Sequence, residues 1–212
     1  MRIVSSIRCL GYLSWQILKF SIGTSRGSSS LSDYLFAKAK NLPAGDAHQS
    51  CLAKWLLSGA LVNRDPKRLL FLYRDTLRII PSLRLRKKTA IAVFESAVWL
   101  HDREVAEQLL LTLSAVTPPL PATTIDRLRQ LHNWRFRRDL TRAQPLLSLL
   151  TPGDYFLPYL FFLVRAVVAD STHNKQDALN DYRRALALLP PDSPEYSYAL
   201  DRCNDLVNEL AA

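Results

Sequence analysis

The residues of this chain that could do chemistry are few. Four histidines are present, His48, His101, His132 and His173. None stands beside another histidine, a cysteine or an acid at the spacing of a zinc site. His101-Asp102 is an adjacent pair, but Asp102 falls where a helix would begin, and a capping role accounts for it. Cys9, Cys51 and Cys203 are odd in number, widely spaced and lack a CxxC pair. That argues against a disulfide framework and for a reducing, intracellular compartment. There is no glycine-rich phosphate loop, no GxSxG and no HExxH. The chain therefore reads as not an enzyme, with no catalytic, metal-ligating or cofactor-binding residue expected.

What remains is the chemistry of binding. The 212 residues carry a net charge of +9, and the charge is split. Residues 1–142 hold 23 Lys and Arg against 10 Asp and Glu, whereas residues 143–212 hold 5 against 9. The excess peaks at Arg84, Arg86, Lys87 and Lys88, and again at Trp134-Arg135-Phe136-Arg137-Arg138 with Arg142. Aromatic rings interleaved with arginine suit stacking on bases and pairing with phosphate. The partner implied is acidic: a protein or peptide surface, an RNA, or an anionic lipid surface. A solvated basic face is the alternative. Trp55, Trp99 and Trp134 either pack between helices or, in the case of Trp134, lie partly exposed for a partner.

These side chains need elements to carry them. Pro43, Pro81, Pro118, Pro152 and Pro190 punctuate the chain at gaps of 38, 37, 34 and 38 residues. Each closes a leucine-rich stretch with helical spacing, such as Leu69, Leu70, Tyr73, Leu77 and Ile80. Start signals fall between them: Asp65-Pro66, the Asp46 and Gln49 capping-box spacing, Asp102 and Asp139. Pro145 is expected to delay or kink the third of the second helices. Strand signals are nearly absent. Fixed periods of about 20–50 residues denote stacked repeats.

The stretch Ala178, Tyr182, Ala185, Pro190, with its near-copy Tyr73-Arg74 to Pro81, resembles the tetratricopeptide (TPR) repeat. The resemblance covers roughly residues 44–192; the middle units keep the period and the proline but lose the small residues. It implies an all-α fold, an α-solenoid of antiparallel helix hairpins with about four repeats and a C-terminal capping helix. In that family first-helix residues line a concave groove. Carried over by position, these are Lys54, Ser58, Lys88, Glu95, Trp99, Arg129 and Asn133. Ser58 stands where the family's carboxylate clamp wants Asn. From Pro194 onward a closing helix is expected, with Tyr196, Leu200, Cys203 and Leu206 inward.

Residues 1–30 read as a separate segment before a repeat domain over 31–212. Residues 1–22 are acid-free, with Ile3, Ile7, Leu10, Leu13 and Ile17 opposite Arg8 and Lys19. This is the pattern of an amphipathic membrane-surface or mitochondrial-targeting helix. Gly23 to Ser30 reads as a linker. Tyr155 to Ala169 is apolar but holds Arg165 and Pro158, and reads as a buried first helix. The function expected is a non-catalytic protein-binding adaptor or scaffold, cytoplasmic or membrane-associated. The alternative is an RNA- or ribosome-associated helical-repeat protein, possibly mitochondrial.

Overall fold

The computed structural model describes residues 12–14, 34–35, 37–38, 41–42, 47–79, 85–140 and 143–211. Every regular element among these residues is helical. From residue 47 onward they run α1 (Ala47–Val62), α2 (Pro66–Ile79), α3 (Lys87–Trp99), α4 (Arg103–Ser114), α5 (Ala122–His132), α6 (Ala143–Leu147), α7 (Pro158–Ser171), α8 (Lys175–Leu186) and α9 (Pro194–Ala211). A π-helical turn, Asn133–Arg137, extends α5, and a 3-10 turn, Pro152–Asp154, precedes α7. Among the described residues no helix is long and apolar enough to cross a membrane. Residues 1–11 and 15–33, which hold nearly all of the amphipathic segment and its linker, lie outside the described residues, as do Asp46, Pro43 and Pro81.

The chain divides into two compact units, Met1–Val93 and Phe94–Ala212, with the division inside α3. In the first unit α1 packs on α2. Asp65 caps α2, its side chain accepting from the Arg68 amide at 2.9 Å, with Pro66 in the first helical position. Leu69, Leu70, Leu72, Tyr73 and Thr76 of α2 are buried, the spacing of one helix face. In the second unit α7 packs on α8 and α8 on α9, and α5 touches α4 and α6. Ala178, Tyr182 and Ala185 of α8 are fully buried. Small residues there let the helices approach while Tyr182 fills the space between them.

One turn recurs four times. Arg64, His101, Arg138 and His173 all take the left-handed conformation, with φ of 49°, 59°, 55° and 61°. They are spaced 37, 37 and 35 residues apart, and each precedes an Asp or Asn. Asp65, Asp102 and Asn174 return their amides to the carbonyls of Ala60, Ala97 and Ala169 at 3.3, 2.8 and 2.9 Å. That is the closure of a helix C-terminus by a left-handed residue, usually glycine. The same three side chains then accept from the amides of Arg68, Val105 and Asp177, capping the next helix. The basic–Asx dipeptide thus ends one helix and starts the next.

The third copy differs. Asp139 returns its amide to Asn133, six positions back rather than five, at 3.2 Å. The π-turn accommodates the surplus residue. Asp139 is not an N-cap, because α6 begins only at Ala143 and is five residues long, with Pro145 inside it. Pro152 opens the 3-10 turn rather than only closing a helix. In α9 the inward face is Ala199, Cys203 and Leu206, whereas Leu200 is 42% exposed. Leu200 sits one residue, about 100°, away from that stripe. Cys203 and Cys51 form no disulfide.

Candidate protein-binding cleft

The second unit holds an open cleft of about 570 Å³. Three elements wall it. The π-turn brings Trp134 and Arg135, followed by Arg138 and Leu140; α7 brings Leu163 and Val167; the start of α9 brings Pro194, Glu195 and Tyr198. His101, at the turn between α3 and α4, completes the rim. Apolar side chains make up much of the lining and a few polar groups join them, the usual composition of a binding site.

Arg135 organises this side. Its Nε donates to the Val98 carbonyl at 3.2 Å and Nη2 to the Trp99 carbonyl at 3.1 Å. These carbonyls lie at the C-terminal end of α3, where a cation meets the negative end of the helix dipole. Arg135 Nη2 also donates to the Glu195 carboxylate. His101 Nε2 lies 3.5 Å from the same carboxylate. The Arg135 guanidinium covers the Trp134 ring at 5.3 Å. Arg138 is exposed and forms no ion pair among the described residues. Tyr198 is 51% exposed, and its hydroxyl lies 3.4 Å from that of Tyr182. Burial pushes the Tyr182 and Tyr159 hydroxyls above the usual tyrosine range, so both stay protonated. The arrangement can bind and orient; it holds apolar surface, one balanced ion pair and one surplus cation.

The sequence-derived sites distribute unevenly over this structure. Trp134, Arg135 and Arg138 do converge, but not as a uniform basic face. Arg135 points inward to backbone carbonyls and Glu195, and Phe136 packs on His132 with ring centroids 5.1 Å apart. Among the described residues of that cluster only Arg137 and Arg138 are exposed. Trp99 is a correction: it is 5% exposed and packs on Tyr159 at 4.7 Å, so it belongs to the core and not to a groove. Glu95 is likewise fully buried, with Arg127 as its partner. Arg129 is exposed beside Asp126 at 3.3 Å, and Asn133 is half-buried at the start of the π-turn. Lys54 and Lys88 are exposed in the first unit. There Lys54 and Ser58 of α1 share a small pocket with Arg86, while Lys87 is half-buried. Arg84 and Arg142 lie outside the described residues.

Leu163, Val167 and Tyr198 escaped the sequence reading. For Leu163 and Val167 the signal is that α7 is apolar nearly all round, so its faces extend beyond its neighbour in the hairpin; Tyr198 carries none. Among the described residues no three His, Cys, Asp or Glu side chains gather as a metal site. No family model, curated protein or solved structure matches this chain.

Proposed function

We propose that this protein is a non-catalytic adaptor that binds another protein, built as a TPR-like α-solenoid of about four helix hairpins with α9 as its closing helix. The cleft carries this reading: an apolar lining of Leu163, Val167 and Tyr198 together with an unpaired Arg138 suits a peptide segment with a bulky apolar side chain and a neighbouring acid. The recurrent basic–Asx turn supports the repeated architecture. The test is selection of a displayed peptide library on the purified full chain, with Val167→Glu and Arg138→Glu as controls. Enriched peptides should share an apolar-acidic pattern and lose binding to both variants. Enrichment that survives Val167→Glu removes the cleft from the proposal.

A second reading, RNA association, draws on a different place. The exposed cations at the start of α3 have no acidic residue in the same helical turn to balance them.

A further inference from the structure

The first unit contains a pocket of about 150 Å³ between α1 and the start of α3. Lys54, Trp55, Leu57 and Ser58 line it from α1, and Leu85, Arg86 and Thr89 from the other side. Lys54 and Arg86 are exposed and form no ion pair among the described residues. Thr89 is nine-tenths buried, lines the pocket, and its hydroxyl makes no hydrogen bond among the described residues. The hydroxyl is thus free to donate to an oxygen of a bound group. The α3 N-terminus adds the positive end of a helix dipole, with Lys87 and Lys88 in its first turn where acids would normally stand. Trp55, on the pocket edge, is 36% exposed, an unusual position for a side chain that is usually well buried.

We infer that this pocket binds a backbone phosphate of single-stranded RNA, with the adjoining base stacked on Trp55. The inference rests on the RNA reading above and gives it a place. Two unpaired cations, a waiting hydroxyl and a helix N-terminus all favour a phosphate oxygen. With its phosphate held by the cations and the hydroxyl, the nucleotide extends its base toward the pocket edge, where Trp55 stands. The exposed indole is the flat surface beside it, and stacking on such a ring is tolerant of sequence. An isolated phosphorylated side chain would use the cations and leave Trp55 without a role.

The experiment is fluorescence anisotropy of the full chain with a fluorescein-labelled 12-nucleotide polyuridine at several salt concentrations. The unmodified chain should bind at 50 mM salt and release as salt rises. Lys54→Gln with Arg86→Gln should weaken binding about tenfold or more and flatten the logarithmic salt slope by about 0.7 for one lost phosphate. Trp55→Leu should weaken it roughly 5- to 100-fold while leaving that slope unchanged. Both sites are exposed, and circular dichroism should show unaltered helix content. No binding at 50 mM salt would overturn the RNA reading itself. Binding that all variants retain would place RNA elsewhere and remove this pocket. A phosphoserine peptide that outcompetes the RNA, and is itself lost in the cation variant, would overturn RNA as the occupant.

Discussion

Arg127 and Glu95 face each other in the core of the second unit, 4% and 0% exposed at their side chains. The other carboxylate oxygen of Glu95 accepts the Leu157 amide at 3.0 Å, and the Arg127 guanidinium lies 4.7 Å above the Tyr155 ring. One charge pair thus ties α3, α5 and the segment leading into α7. Burial pushes the Glu95 carboxyl up, and Arg127 pulls it back. Breaking such a pair leaves an uncompensated buried charge, which costs about 3–5 kcal/mol. Glu95→Leu and Arg127→Met should each show that loss in urea unfolding. The double variant should recover much of it, because neither charge is then stranded.

Stability should also fall on mild acidification. Burial holds the His132 imidazole below its ordinary value of 6.5, with Glu107 at 3.5 Å opposing the shift. Between the lowered value and 6.5 the unfolded chain binds more protons than the folded one. His132 therefore contributes fully above that window, and its contribution is lost as pH falls through it. Melting temperatures at pH 7.5 and 5.5 should differ, and His132→Phe, which keeps the ring packing on Phe136, should narrow the gap. An unchanged gap would show that another group sets it.

The left-handed turns carry a local strain. A residue with a Cβ in that conformation costs roughly 1 kcal/mol relative to glycine. His173→Gly should raise the unfolding free energy by about that amount. Asn174→Ala should lower it by about 1 kcal/mol, since the cap of α8 is lost. Opposite signs at adjacent positions in one denaturation series make the assignment hard to imitate.

Core packing between α7, α8 and α9 gives an effect of similar size. Ala178 and Ala185 are fully buried, so Ala178→Asp or Ala185→Asp would place a carboxylate where it has no partner. Loss on the order of 4 kcal/mol and collapse of cooperative unfolding are expected by circular dichroism. A soluble, cooperative variant would contradict the packing described.

In α1, Gly59 costs stability without a packing reason, because a Cβ there meets nothing within 4 Å. Gly59→Ala should stabilise the chain by about 0.5–1 kcal/mol, read from the thermal midpoint.

The helices themselves were readable from spacing and capping. Asp65-Pro66 opens α2, and Ala178, Tyr182 and Ala185 announce the buried face of α8. The fate of individual charges was not. Nothing local to Trp134-Arg135-Phe136 says that Arg135 will find the carbonyls of Val98 and Trp99, 37 and 36 residues away. The acids of the C-terminal segment are similar. Asp181 is occupied by Arg165, and Asp170 by Arg202 at 2.8 Å, so they are structural before they are a surface charge. The basic–Asx turn was written in the sequence at Arg64, His101, Arg138 and His173. It went unseen because glycine, not arginine or histidine, is the residue that advertises a left-handed turn.

A π-turn lets a helix absorb a change of length. An extra residue wound into a wider helical turn lets the following helix keep its frame, whereas the same insertion in a strand would turn every later side chain over. The cost is confined to five residues, Asn133–Arg137. Those five residues supply Trp134 and Arg135, and Arg138 follows directly, so one wall of the cleft is made from the π-turn itself. In a chain of this build one residue more inside a helix can reshape the wall of a cleft without lengthening a loop.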